Sequence, residues 1–342
     1  MIVSLRRYAY YVGALMSGQT PFRLTSVIVD LVQKICLILG RMDRYNFKVH
    51  SDIHLRKTTS IRSIKSSLAI EGHKLMIEQV SDILNGQPVI APKNDIVAVK
   101  NAAAVYEMFD QIDAFNINDI LQMHGTMMAG LLPDAGHFRQ SSVGLLKGLE
   151  VVHIAPPHQN VSGLVADLFT YLKEAPDSLL IKSCVFHYEL EFIHPFLDGN
   201  GRMGRFWQQL ILAKQHPVFK LVCIEELLEK YQGEYYDVLQ ESDNDGSSEK
   251  FIEFMLSIIL QALEILATKL LATQAQLIEK EKCEDRLAYA KHFLDRFKRK
   301  DYINLFPKIS QATASRDLAK GVKLGTLEAE NNKNQTIYRF KK

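Results

Sequence analysis

Apolar residues recur at i, i+3 and i+4 through most of the first 270 positions. Examples are "SVIVDLVQKICLIL", "DIVAVKNAAAVYEMF" and "GLVADLFTYLKE", and the spacing predicts amphipathic helices. One stretch breaks the period. "SVGLLKGLEVVHIAPP" holds two short apolar runs around Lys147-Gly148 and closes on Pro156-Pro157, which predicts a hairpin over about Val143 to Ala155. From Lys250 to Lys300 there is neither Pro nor Gly, so one or two long helices are expected there. Beyond them, "KISQATASRDLAKGVKLGTLEAENNKNQTIYRF" reads as a turn, then a helix of about ten residues begun by Thr313 or Ala312, then two strands around "NNKNQ". The expected class is mainly α, with one small hairpin and a C-terminal winged-helix-like domain.

Charge separates the tail from the body. The total is +2, but from Arg286 to Lys342 there are 14 Lys and Arg against 5 Asp and Glu, a surplus of +9, so residues 1–285 carry −7. With 342 residues and 47% hydrophobic composition the chain can bury a sizeable core and suits two or three domains. Cys36, Cys184, Cys223 and Cys283 are scattered without a C-x-x-C pair, which argues for reduced thiols and a cytoplasmic location. "RRYAYYVGALMSG" has a basic start, but its apolar run is short and lacks a clear cleavage site, so a secretory signal is not expected. No run reaches the about 18 uninterrupted apolar residues of a membrane span, and no membrane partner is expected.

The densest chemistry lies in "HPFLDGNGRMGR", His194 to Arg205, between two ordinary helical patterns. Gly199-Asn200-Gly201 falls where one helix stops and the next starts, so its backbone N–H groups can curl into an anion-binding nest. Arg202 and Arg205, three apart, can reach different phosphates of one polyphosphate. Asp198 is placed to hold a Mg²⁺ that bridges those phosphates. His194, across the loop, could take a proton from a hydroxyl, while Phe196 points inward and fixes the loop. A base, a metal ligand, an oxyanion cradle and charge clamps are what phosphoryl or nucleotidyl transfer requires. A rival reading places a metal on His187, Glu191 and His194, one helical face, but it leaves the glycines and arginines without a task. His187 reads more simply as a half-buried packing residue.

As one ordered string, these residues resemble the active-site signature of the Fic family, His-x-Phe-x-Asp/Glu-Gly-Asn-Gly-Arg-x-x-Arg, with every fixed position filled. The resemblance implies a Fic-type helical core that moves AMP from ATP onto a hydroxyl of another protein, releasing pyrophosphate. By position His194 is the general base, Asp198 the Mg²⁺ ligand, Asn200 with the Gly199 and Gly201 backbone the α-phosphate cradle, and Arg202 the β-phosphate contact.

Upstream, "SSLAIEG" looks like the family's inhibitory Ser/Thr-x-x-x-Glu-Gly/Asn motif, with Ser67, Glu71 and Gly72 at the defining positions. Ser67 and Glu71 share a helix face, and Gly72 suits the position after a helix end. A carboxylate at Glu71 could pair with Arg205 and fill the space a γ-phosphate needs. "GHFRQSSVGLLKGLEVVHIAPPHQNV" resembles the Gly-x-Tyr/Phe-Arg segment and the flap that offers strand edges to a target segment, and His153 there reads as a surface residue. "EYYDVLQESDNDG" resembles the adenine-side helix, with Tyr235 and Leu239 matching. Many relatives have asparagine where this chain has Asp243.

These readings divide the chain into residues 1–93 with the inhibitory motif, a core over 94–265, a helical connector over 266–285 and a basic domain over 286–342. Two function classes follow. One is a protein adenylyltransferase acting on Tyr, Thr or Ser of a target protein or of itself. The other is a DNA-binding regulator using the core as a nucleotide sensor. Transfer of another phosphate-linked group, removal of AMP, DNA bound by the tail and a homodimer all stay open.

Overall fold

The computed structural model describes residues 22–44, 53–147, 150–278, 282–332 and 335–341. The "RRYAYYVGALMSG" stretch, Gly148 and residues 333–334 lie outside them. The chain divides into two compact units, Met1–Glu264 and Ile265–Lys342.

The first unit opens with helices α1 (Ser26–Arg44), α2 (Ile53–Ile70), α3 (Ile77–Leu84), α4 (Lys93–Glu107) and α5 (Ile117–Met127). Strands β1 (Gly144–Lys147) and β2 (Glu150–Ile154) pair antiparallel in the expected hairpin, with a bulge between Leu145 and Leu146. Then come α6 (His158–Glu174), α7 (Leu179–Ile193), α8 (Asn200–Gln215), a 3₁₀ turn (Pro217–Leu221), α9 (Glu225–Lys230), α10 (Gln232–Asp245) and α11 (Glu249–Ile278), which continues past Glu264 into the second unit.

α7 and α8 form the centre, packed along each other. α7 is buried on every side, Leu180 to Ile193 with only Glu191 partly open, as expected of a helix enclosed by others. Phe169, Phe186 and Trp207 fill the space between α6, α7 and α8 with edge-to-face contacts, and Trp207 Nε1 donates to the Ala114 carbonyl at 3.0 Å. Ser178 caps α7 by accepting from the Ile181 amide.

α2 is docked on α9 by polar contacts. Arg62 pairs with Glu226, Lys65 with Glu229, and Ser63 Oγ donates to the buried Glu225 at 2.8 Å, whose other oxygen accepts from Tyr106. At its far end the His73 amide donates to Leu68 O and the Gly72 amide to Ala69 O, a Schellman closure with Gly72 at φ +91°. The closure leaves Glu71 as the last residue of the helix end, aimed by its geometry.

Within α11 the stretch Glu249–Leu270 has a mean hydropathy of 1.8 and the length of a membrane span, with half of it packed inside the molecule. Glu253 and Glu264 break its apolar run, so a search for uninterrupted apolar residues passes over it. Phe251, Ile252, Met255, Leu256, Ile259 and Leu263 on it are fully buried, which makes this stretch core.

The second unit contains α12 (Cys283–Ala290), β3 (Arg296–Lys298), α13 (Arg299–Leu305), α14 (Gln311–Lys323), β4 (Leu327–Asn332) and β5 (Gln335–Phe340), with the antiparallel sheet in the order β3-β5-β4. The elements follow the order helix, strand, helix, helix, strand, strand. Two expectations need correction. α14 starts at Gln311, because Ser310 Oγ accepts from the Thr313 amide and so caps the helix earlier than Ala312 or Thr313. β3, Arg296–Lys298, falls within the Lys250–Lys300 stretch expected to be helical, because three residues are too few to show a strand period in sequence. Leu287, Phe297, Tyr302, Phe306 and Leu318 form the core, and beneath them Arg286 pairs with Asp317 at 2.7 Å, both buried.

Candidate active site

The site is built where α7 ends and α8 begins. His194 terminates α7 in the left-handed region, at φ 48° and ψ 58°, the one non-glycine residue with positive φ among the described residues. Arg139 holds that strained turn. Its Nε donates to His194 O at 2.7 Å, and its own amide donates to Pro195 O at 2.9 Å. His194 Nδ1 makes a long hydrogen bond, 3.4 Å, to the Glu191 carbonyl, which leaves Nε2 with the lone pair. Burial, helped by the nearby His153, pushes the imidazole down to about 4, so it is neutral at pH 7.

The loop from Pro195 to Gly199 is fixed from below. Phe196 is fully buried and stacks on His124, ring centroids 3.7 Å apart and 6° from parallel. His124 Nδ1 accepts from the Gly136 amide, so Nε2 bears the hydrogen it gives to Asp198 O at 2.9 Å. Asn200 spends its side chain on the same loop, accepting from the Phe196 amide and donating to the Phe196 carbonyl, each at 2.9 Å. What Asn200 offers an anion is therefore its backbone at the first position of α8, after Gly199 at φ +85°.

Arg202 and Arg205 are both buried at the start of α8. Arg202 Nη2 lies 3.2 Å from Asp198 Oδ2, while Arg202 Nε is buried without an acceptor among the described residues. Asp198 is 59% exposed on its side chain, and its Oδ1 accepts from the Gly199 amide. The cradle thus combines free helix N–H groups, an unmatched guanidinium donor and an open carboxylate, a set that fits an anionic ligand carrying a divalent cation.

Arg205 is turned the other way. Its Nε donates to Ser67 Oγ at 3.1 Å, and Nη2 donates to Ser67 O at 3.1 Å and to Glu71 Oε1 at 2.6 Å. Glu71 Oε1 hangs directly over the cradle: a Cβ placed on Gly201 would lie 2.6 Å from it, 2.9 Å from Arg205 Nη1 and 3.2 Å from Glu191 Oε1. Two carboxylates and a guanidinium converge on the first turn of α8.

A family model described as Fic/DOC matches residues 114–212. The chain is 28% identical over 243 residues to the protein adenylyltransferase Fic of Aedes aegypti, covering 67% of this chain and 46% of that protein. For the protein of the same name from Culex quinquefasciatus the figures are 27% over 289 residues, 79% and 55%. The chain spans about half the length of the curated relatives it matches. Among solved structures it is similar to a Fic family protein from Desulfovibrio desulfuricans G20, with 32% identity, a TM-score of 0.69, and coverage of 94% of this chain and 98% of that one.

The chain belongs to the Fic family.

Set on this Fic core, the residues singled out from sequence separate into groups. His194, Asp198, Gly199, Asn200, Gly201, Arg202 and Arg205 come together in one loop and helix turn, and Ser67 and Glu71 reach Arg205 from α2, with Gly72 closing that helix. Tyr235 is fully buried in α10, its hydroxyl 3.1 Å from His187 Nε2, and Leu239 is half-buried one turn on. His187 is not half-buried but fully so, with Nδ1 on Gln208 Oε1 at 2.8 Å, and burial pushes it down to about 3. Both ring nitrogens are engaged, and no group of three metal-binding side chains occurs among the described residues, so the His187-Glu191-His194 metal reading fails. His153 is not a surface residue either. It reaches Asp243 and the Phe192 carbonyl.

Three residues went unassigned by motif. Arg139 lay in the quoted "GHFR" segment without a role; its fork also reaches Ser141 O and Pro156 O, at either end of the hairpin. His124 carried no signal, being one histidine in an amphipathic helix. Glu191 figured only as a metal ligand, whereas burial pushes it up to about 7.

Proposed function

We propose that this Fic protein transfers AMP from ATP to a hydroxyl side chain of a target protein, releasing pyrophosphate, and that Glu71 holds it at rest. The observation that carries the reading is the convergence at Gly201: over the anion cradle of α8, one loop after the neutral His194, stands a carboxylate clamped by Arg205. The names of the mosquito relatives agree with the activity.

In this reading the acceptor oxygen attacks the α-phosphorus while His194 Nε2 takes its proton. The bond from the α-phosphorus to the bridging oxygen breaks, and pyrophosphate carries away the electron pair. The first amides of α8 stabilise charge on the α-phosphate, and Arg202 contacts the β-phosphate. Incoming phosphates also bring negative charge beside His194, raising its basicity toward the working pH. Asp198 would hold Mg²⁺ with the nucleotide's own oxygens, and the cation would neutralise phosphate charge. The edges of the β1–β2 flap would receive an extended target segment by strand addition. With Glu71 on Arg205, the γ-phosphate finds its guanidinium taken and a carboxylate in its place. Scattered free cysteines support a cytoplasmic location. Intact-protein mass spectrometry after incubation with Mg²⁺ and each nucleoside triphosphate tests the reading. A gain of one AMP mass from ATP is expected, and no adduct from any nucleotide with Glu71→Gly protein would overturn it.

A second reading, in which the C-terminal unit binds DNA as a winged-helix-like domain, is favoured by its order of elements and by the outward face of α14. Gln311, Arg316, Lys320 and Lys323 are exposed there, whereas the helix's acid, Asp317, is buried. Duplex affinity that falls steeply with salt and drops in Arg316→Ala would support it; affinity indifferent to both would sink it.

A further inference from the structure

The flap is a two-stranded hairpin, and such a pair is marginal on its own in water. Its position over the site therefore depends on what it is fastened to. Arg139 fastens the chain just before β1, through Ser141 O, and just after β2, through Pro156 O. Within β2, a described side chain also fastens the strand. His153, in β2, reaches the Phe192 carbonyl with Nε2 at 2.9 Å and Asp243 Oδ2 with Nδ1 at 2.6 Å. A carbonyl can only accept, so Nε2 carries hydrogen. The other oxygen of Asp243 accepts from the Tyr188 hydroxyl at 2.8 Å, so the carboxylate that meets His153 is itself held to α7. The contact is sheltered, the His153 side chain being only 9% exposed. The ring also sits edge-on to Phe192, centroids 5.2 Å apart. Phe192 lies two residues before His194, so this contact ties the strand to the turn that carries the base.

We propose that His153 is a positioning residue for the acceptor. Held between Asp243 of α10 and Phe192 of α7, it sets the height of β2 above His194, so that a segment laid along the flap presents its hydroxyl to the imidazole. The inference rests on the transferase reading above. Its consequence is a partition. When the flap is loosened, the nucleotide still binds and water can replace the acceptor: the water oxygen bonds to the α-phosphorus, its proton goes to His194, pyrophosphate leaves and free AMP results. The protein acceptor, by contrast, loses its alignment.

The test compares full-length Glu71→Gly protein with the same protein carrying His153→Ala, Asp243→Ala or both. AMP incorporated into the chain and free AMP released are measured with saturating Mg²⁺-ATP, and hydrogen–deuterium exchange is followed over 144–154 and 194–205. Incorporation should fall at least about ten-fold, the order expected from lost alignment, while free AMP is maintained or rises. Flap peptides should exchange faster and 194–205 should not change. The double variant should be no worse than either single one, since both remove the same contact. Incorporation and AMP release falling together, or flap exchange unchanged in His153→Ala, would overturn the proposal. If the Glu71→Gly parent incorporates no AMP, the transferase reading fails by itself, and the exchange comparison still decides whether His153 fastens the flap.

Discussion

Arg205 Nη2 lies 2.6 Å from Glu71 Oε1, joining the second turn of α8 to the end of a helix 134 residues earlier in the chain. The guanidinium is buried and also held by Ser67, so it cannot serve a phosphate while the pair is closed. Glu71→Gly frees the cradle, and Mg²⁺-ATP-dependent AMP incorporation should rise above that of the unaltered chain. If Glu71 only ended its helix, glycine would cost about 1 kcal/mol of helix propensity and activity would hold level or fall. Adding Arg205→Ala to Glu71→Gly should reverse the gain; a fully active double variant would show that Arg205 is not the group released.

Removing the His194 imidazole should reduce AMP transfer at least ~10²-fold, the usual cost of a lost acid–base group, with the circular dichroism spectrum and melting temperature held. The imidazole is neutral down to about pH 4 in the free protein. Below that it is protonated and cannot accept, so transfer per enzyme should fail on the acid side only. Transfer at the original rate by His194→Ala would remove it from the mechanism.

How much of this site was legible beforehand depended on whether its chemistry is local. His194 to Arg205 could be read because the residues of the proposed base, cradle and clamps follow one another at fixed spacing across a single helix junction. Ser67, Glu71 and Gly72 could be read because a helix face and a left-handed closure are short-range facts. Arg139 and His124 could not, since their meaning lies in which distant carbonyls they meet, Pro156 and His194 for one and Asp198 for the other. His153 was misjudged for the same reason: Asp243 is 90 residues away. Helical periods were strong over the long elements, whereas β3, at three residues, had no period to show.

Acid should destabilise the fold before it reaches the carboxylates. Burial holds His124 and His194 at about 4 and His187 at about 3, against about 6.5 in an unfolded chain. Below pH 6.5 the unfolded chain binds protons that the folded one refuses, so stability rises with pH in this window and is lost as pH falls toward 4, roughly 3 kcal/mol for each histidine before relaxation. Glu191, raised to about 7, acts oppositely: it stabilises at low pH and loses that contribution as pH rises through 7. Glu225, pushed up by its burial, acts with Glu191, so three histidines stand against two carboxyls and decide the sign. The melting temperature should drop between pH 7 and pH 5, and a transition unmoved over that range would mean these histidines are reached by water.

Two glycines three residues apart in α8 should answer to alanine in different ways. At Gly204 a Cβ would come within 2.7 Å of His187 Cδ2, a ring buried in the core and bonded at both nitrogens, so it cannot yield. Gly204→Ala should therefore overpack the α7–α8 contact and cost about 1–3 kcal/mol in denaturant unfolding. At Gly201 the nearest atoms are the ends of flexible side chains, Glu71 Oε1 at 2.6 Å and Arg205 Nη1 at 2.9 Å, which can swing aside, and alanine is the better helix former. Gly201→Ala should fold with stability near that of the unaltered chain. Its methyl, however, stands where the cradle would take phosphate, so nucleotide affinity by titration calorimetry should be lost. Displacing the Glu71 carboxylate with that methyl must also fail to activate, even in combination with Glu71→Gly. This separates two ideas that Glu71→Gly alone leaves joined. If the space over Gly201 merely houses a regulatory carboxylate, Gly201→Ala should open the clamp and behave like Glu71→Gly. If it receives phosphate, the variant stays silent and unable to bind ATP. An active Gly201→Ala protein would refute the cradle at this position.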